Sequence, residues 1–335
     1  MKALSIKTRR GRPSLKDVLA RVDEEVQLLH EHLGGLPRAV EADHILKEIW
    51  LDDVHNSTAI EGNTMTRAQV EDLVVRRLPS ATLLESVEVD AYARASDWVY
   101  RHAVDYKGVP TSVVSEVHKI LMEATWAIEP PATHDQPGAW RRGGVRVGAL
   151  RVSLPAAIPA DLQAWAASTM KQPIMHPIAT AAHHHAWIER IHPFVDGNGR
   201  VGRLLLNFML IQRGYPPAVI LASQRKRYLG ALRAADTGNA KPLADVIARA
   251  VSGALTRFLI PNLAGDAKLV PLSALSHKSV YSANYLKILA TRGKLRVVRD
   301  GRLLLSSRAW LAEYVKGRDP RGGQPARRAA QGTTG

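Results

Sequence analysis

The sequence predicts a mainly α fold: a helical core interrupted by one short β-hairpin flap and followed by a small winged helix-turn-helix domain. Three observations predict it. Apolar residues recur at every third or fourth position through most of the first 260 residues, one glycine-rich stretch breaks that spacing, and the pattern changes again after Pro261 and Asn262. A chain of 335 residues can bury a sizeable core in two or three domains. It has no cysteine, which excludes disulfides, thiolate nucleophiles and cysteine-held metal sites and fits a reducing compartment. No apolar run reaches the roughly 18–20 residues that cross a bilayer, and the basic start lacks the apolar stretch of a secretory signal. The expected setting is cytoplasmic, with no membrane partner.

Residues 1–14 read as a flexible basic arm, with Gly11 and Pro13 and no periodicity. A helical N-terminal region follows over 15–110. Apolar spacing predicts helices over 15–32, 41–53 and 85–102, and Thr66 followed by Gln69 has the spacing of a capping box that starts a short helix before Pro79. The central region, 111–260, opens with a helix over 112–124. Residues 130–154 then change character, because Pro130, Pro131, Gly138, Gly143, Gly144 and Gly148 punctuate an alternating run at Val145, Arg146 and Val147. A short hairpin or exposed flap is expected there. Helical spacing returns over 160–170, 178–192 and 201–213, and Gly214, Pro216 and Pro217 end the last of these. Two more helices are expected over 228–235 and 242–260.

Pro261, Asn262, Gly265 and Asp266 mark the next boundary. Residues 266–316 have the pattern of a winged helix: helices over 272–278 and 282–291, strands over 295–298 and 303–305 around Asp300 and Gly301, and a last helix over 308–315. The tail, 317–335, has too few apolar residues for a core and is expected to be disordered. The formal net charge is +15. Between Lys268 and Lys316 there are ten Lys or Arg residues against two acidic ones, Asp300 and Glu313. That excess suits either a nucleic-acid surface, with 282–291 as the helix entering the groove, or a solvated basic face.

One block concentrates chemistry: His192, Pro193, Phe194, Val195, Asp196, Gly197, Asn198, Gly199, Arg200, Val201, Gly202 and Arg203. Gly197 and Gly199 allow a tight approach just before an apolar helix, so the N–H groups at its start make an anion nest at the positive end of the dipole. Arg200 and Arg203, three apart, share one side of that helix as a guanidinium pair for phosphoryl oxygens. His192 can take a proton from an attacking hydroxyl, and Asp196 is a hard oxygen ligand suited to magnesium on phosphates. Phe194 should anchor the loop from beneath. The spacing of His185, Glu189 and His192 raises a metal-site alternative, but no HExxH pattern accompanies it.

This block resembles the signature of the Fic (filamentation induced by cAMP) family, His-x-Phe-x-Asp/Glu-Gly-Asn-Gly-Arg-x-x-Arg, and every specified position is present. The likeness extends over roughly residues 40–235. It implies an ATP-using enzyme that transfers AMP to a Ser, Thr or Tyr hydroxyl of a target protein. His192 would be the base, Asp196 the Mg2+ ligand, Gly197, Asn198 and Gly199 the anion hole, and Arg200 and Arg203 the phosphate ligands. Asn207 would be either a nucleotide contact or a packing residue. Trp140, Arg141, Val145, Arg146 and Val147 resemble the target-docking flap, and Ser57, Glu61 and Gly62 resemble the inhibitory motif, with Glu61 pairing with Arg203. The resemblance leaves open self-modification, homodimerisation, AMP removal and transfer of another phosphate-containing group. A DNA-binding regulator acting through the C-terminal module is the alternative from a different class.

Overall fold

The computed structural model describes residues 13–33, 45–75, 81–148, 150–255, 269–276, 279–300 and 303–317. Most of the basic arm, the boundary after residue 260 and the tail beyond residue 317 lie outside the described residues. The chain divides into two compact units, one over residues 12–263 and one running from residue 264.

The first unit is helical. Helix α1 spans Leu15–Leu33 and α2 Ile45–Ile60, so the second runs further than its periodicity suggested and carries Ser57 in its last turn. It ends because Gly62 takes a left-handed φ of +112°, with Glu61 N–H returning to Thr58 and Gly62 N–H to Ala59. Helix α3, Arg67–Val74, starts at the expected capping box: Thr66 accepts from Gln69 N–H and the Gln69 side chain returns to Thr66. Thr82 and Glu85 cap α4, Leu83–His102, in the same way. Helices α5 (Thr111–Ile128), α6 (Ile158–Thr169), α7 (Pro177–Ile191), α8 (Asn198–Ile211), α9 (Arg225–Asp236) and α10 (Lys241–Ala254) complete the unit. Helix α8 is central. It packs against α7, α4 and α5, and every residue from Arg200 to Leu210 is buried. Its near-continuous apolar composition follows from burial on all sides.

The expected flap hairpin is corrected. Among the described residues of 140–150 there is no strand ladder, only one antiparallel bridge between Val147 and Leu150, closed by Leu150 N–H on the Val147 carbonyl.

In the second unit β1 (Val270–Pro271) precedes α11 (Leu272–Ser276) and α12 (Ala283–Thr291), followed by β2 (Val298–Asp300), β3 (Leu303–Ser306) and α13 (Arg308–Lys316). The strands form an antiparallel sheet in the order β1-β3-β2. Strand β1 was not foreseen, since two residues carry no periodicity. The second strand begins three residues later than expected. Gly293, at φ +66°, closes α12, and both Lys294 and Leu295 donate to the Leu289 carbonyl, so the chain cannot join a ladder until it has left that turn.

Candidate active site

The loop joining α7 to α8 is shaped by two left-handed residues. Gly197 has φ +78°, which costs glycine little, whereas His192 has φ 52° and ψ 60°, a conformation that costs a side-chain-bearing residue about 1–2 kcal/mol. Three sets of contacts hold it there. The His192 N–H donates to the Ile188 carbonyl at 3.0 Å, and the His192 carbonyl accepts from Arg141 Nε at 2.7 Å. Asn198 closes the loop on itself, accepting from Phe194 N–H at 3.0 Å and donating to the Phe194 carbonyl at 2.9 Å. Phe194 is fully buried and stacks on His118 at 3.6 Å between ring centroids, with Trp140 at 5.2 Å. Asn198 therefore offers its backbone, and not its side chain, to the nest.

His192 Nδ1 lies 3.2 Å from the Glu189 carbonyl. A carbonyl only accepts, so Nδ1 carries the proton and Nε2 keeps its lone pair. Burial pushes the imidazole below its ordinary pKa, with Arg141 adding to the shift and the Glu189 carbonyl opposing it. At neutral pH the ring is an uncharged base.

Beyond it, the N–H groups of Asn198, Gly199 and Arg200 stand at the start of α8, where a helix has no partners of its own for them. Asp196 Oδ1 accepts from Gly197 N–H at 2.6 Å, and Arg200 reaches Asp196 at 3.3 Å and Glu88 at 3.5 Å. Arg200 Nε is buried with no hydrogen-bond partner. Arg203 is enclosed: its guanidinium donates to Ser57 Oγ and to the Ser57 carbonyl, each at 2.9 Å, and to Glu61 Oε1 at 2.8 Å. A Cβ added to Gly199 would lie 2.6 Å from that same Glu61 oxygen. The carboxylate thus covers the nest as well as holding the arginine. Burial raises the Glu61 pKa, but Arg203 outweighs it and keeps the group below the usual carboxylate range.

Beneath Arg203 lies a polar network that motif reading missed. Tyr92 donates to Ser57 Oγ at 2.8 Å, and Tyr92 and Ser96 approach Asp53 at 3.4 Å. His185 spends its nitrogens on the Gly202 carbonyl and the Tyr228 hydroxyl, at 3.0 and 2.7 Å. Glu189 Oε1 is buried without a hydrogen-bond partner, against Gly202, where a Cβ would collide with it. Burial pushes Glu189 up to about 8 and Asp53 up to about 7, with Arg203 opposing both. The available signal was polar residues on the inward face of otherwise apolar helices. Asn207 belongs to this interior: it is 1% exposed, its Oδ1 accepts from Ala218 N–H at 2.9 Å, and its Nδ2 is buried without a hydrogen-bond partner.

The flap candidates separate. Val145, Arg146 and Val147 are at least partly accessible, and Trp140 packs on Phe194. Arg141 is 2% exposed and is not a docking edge. Its guanidinium donates to the carbonyls of His192, Gly143 and Ser153, which fits a rigid five-donor fork. Among the described residues no three His, Asp or Glu side chains converge as a metal cage. The Asp196 side chain, 63% exposed at the mouth, is an accessible hard oxygen donor of the kind that could hold a divalent cation.

Residues 109–210 match the Fic/DOC family model. A protein adenylyltransferase Fic from Drosophila melanogaster is 31% identical over 245 residues, which are 70% of this chain and 46% of that protein. The corresponding protein from Drosophila yakuba is 30% identical over 241 residues. The chain thus spans less than half the length of the curated relatives it matches. Among solved structures, Fic-1 from C. elegans superposes with a TM-score of 0.62 at 23% identity, covering 73% of this chain and 72% of that one. A Fic family protein from Desulfovibrio desulfuricans gives 0.56 at 18% identity, covering 90% and 97%.

Proposed function

We propose that the chain, whose residues 109–210 match the Fic/DOC family model, is a protein adenylyltransferase, moving AMP from ATP to a Ser, Thr or Tyr hydroxyl of a target protein. The observation that carries this reading is the juxtaposition of a neutral imidazole, its Nε2 unprotonated, with a helix start whose N–H groups have no partners in the helix and with two arginines, of which Arg200 keeps one donor unpaired. The target hydroxyl attacks the α-phosphorus while His192 Nε2 takes its proton. The P–O bond to the β-phosphate breaks and pyrophosphate departs, its charge met by the nest, Arg200 and Arg203. Asp196 would hold Mg2+, which neutralises phosphate charge when bound. The accessible residues 145–147 would seat the target segment by backbone pairing.

Glu61 restrains this chemistry in the proposed reading. It occupies the Arg203 guanidinium and lies over Gly199, where it repels a triphosphate. Mass spectrometry of the purified chain and of cell extract incubated with ATP and Mg2+ tests the activity. A covalent AMP addition that disappears in His192→Ala is expected; addition that persists in that variant, or transfer of a different group, rejects the assignment.

The second unit supports a separate reading as a DNA contact. Helix α12 buries Leu286 and Leu289 and exposes Asn284, Tyr285, Lys287, Ile288 and Thr291, with Arg292 exposed at its C-cap, a mixed face carrying two basic side chains on the second helix of a winged arrangement. Duplex binding that weakens with salt and with Lys287→Ala or Arg292→Ala is the expected result; salt-independent or absent binding removes it.

A further inference from the structure

We propose that His118, on α5, is a positioning residue that ties the root of the flap to the anion nest, registering the target-docking segment against the phosphate site. The proposal rests on the adenylyltransferase reading for its activity readout only.

His118 is fully buried and its imidazole has a different backbone partner on each nitrogen. Gly138 N–H, at the flap root, lies 2.8 Å from Nδ1, and the Asp196 carbonyl lies 3.2 Å from Nε2. An amide N–H only donates and a carbonyl only accepts. Both contacts are therefore made at once by the single tautomer that carries its proton on Nε2. Phe194 stacks on the ring at an interplanar angle of 4°, and Trp126 meets it edge-on, so the imidazole cannot tilt toward one partner at the expense of the other.

Each partner controls a different part of the site. The Asp196 carbonyl belongs to the same planar peptide as Gly197 N–H, and in a trans peptide the two point in opposite directions. Holding the carbonyl against His118 aims the Gly197 N–H away from the core, onto Asp196 Oδ1 at 2.6 Å, and so fixes the residue from which the nest begins. Gly138 is held at its other end too, since its carbonyl accepts from Ser115 Oγ at 2.7 Å, also on α5. Three residues later Arg141 N–H donates to the Pro193 carbonyl at 2.9 Å. The flap root and the catalytic loop thus share supports at both ends, and among the described residues His118 is the one side chain that bonds to the first residue of the flap root and to the residue opening the nest. It has no access to the reacting atoms, so its role would be indirect.

Two substitutions separate the arms. His118→Asn keeps an acceptor where Nδ1 stood and loses the donor to Asp196; His118→Gln keeps a donor where Nε2 stood and loses the acceptor for Gly138. In full-length protein carrying Glu61→Gly, ATP·Mg2+ affinity is measured by calorimetry and automodification at saturating ATP by mass spectrometry. His118→Asn is expected to weaken ATP binding by roughly tenfold, whereas His118→Gln leaves ATP affinity unchanged and slows transfer by roughly tenfold, because the loss comes from misplacement. Parallel losses in both quantities for both variants, tracking a fall in Tm, would identify a packing histidine and overturn the proposal. A 15N spectrum of the full chain gives an independent readout. An unprotonated Nδ1 and a protonated Nε2 on His118 are expected, and a proton on Nδ1 overturns the arrangement even if the variants do not fold. If the His118-intact protein transfers no AMP, the activity assignment fails, while the affinity split and the spectrum still decide the role of His118.

Discussion

At the outer end of the site Arg200 meets Asp196 and Glu88 at 3.3 and 3.5 Å and keeps one buried donor unpaired, whereas at the inner end Arg203 is held by Ser57 twice and by Glu61 at 2.8 Å. The two residues are three apart on one helix and share a chemical type. What separates them is what the rest of the chain brings to each. α2 delivers Ser57 and Glu61 to the inner arginine, while the outer one faces the mouth. A phosphate arriving at Arg200 completes a set of bonds; one arriving at Arg203 has to replace a bond already made. In the proposed enzyme this asymmetry is the restraint.

The comparison breaks most severely if Arg203 is removed. Arg203→Ala would leave Asp53, Glu61 and Glu189 without their shared cation, and a loss of about 3–5 kcal/mol in urea unfolding is expected, with Arg203→Lys intermediate because it keeps charge and loses the fork. An Arg203→Ala protein as stable as the parent would show that the inner network is not organised around this guanidinium. Next in size, Glu61→Gly should raise AMP transfer by roughly tenfold, at the low end for a charge-assisted bond because the Glu61 side chain is 39% exposed. Rates measured at several ATP concentrations should show the gain, and addition of His192→Ala should remove it. An unchanged rate in the folded, active single variant would make Glu61 part of the scaffold.

A pH series sharpens the contrast further. Burial raises the folded pKa values of Glu189 and Asp53 to about 8 and about 7, above the ordinary carboxylate values of 4.5 and 3.8. The folded state therefore binds more protons than the unfolded state between those limits, and stability falls as pH rises through that window. Glu189→Gln removes one of these groups, so its Tm should fall less than that of the parent between pH 5 and about pH 8. Identical slopes would show that Glu189 is ionised throughout. The smallest effect belongs to the mouth: Glu88→Gln should change ATP affinity by less than about threefold, since the 3.5 Å contact with Arg200 is loose and Glu88 is accessible. A calorimetric change as large as that of Glu61→Gly would erase the asymmetry.

Much of the helical unit was legible because its periodicity is strong. Helices α1, α4, α7 and α8 lie within a few residues of their expected spans, and the Thr66 capping box is formed. The flap was legible as an interruption but not as a conformation, since glycines mark where a chain can turn without saying whether strands will pair. The same limit applies to Arg141. In the sequence it is one of two adjacent basic residues beside a hairpin signal, yet it is buried on three carbonyls, two of them distant in sequence and one in the adjoining irregular loop.

By itself the sequence determined the candidate catalytic block, because its parts are contiguous: loop, glycines, proposed base and both arginines lie within twelve residues and their relation is set by local backbone geometry. It also determined that Arg200 and Arg203 share a helix face. Only the tertiary structure decided that Glu61, 142 positions before Arg203, lies over Gly199, that Glu189 Oε1 is buried without a hydrogen-bond partner, and that His118 joins Gly138 to Asp196. The physical reason is that burial and hydrogen-bond partnership depend on what other segments bring to a residue, and those segments are placed by the packing of α2, α4 and α5 on α8, information that no local spacing carries.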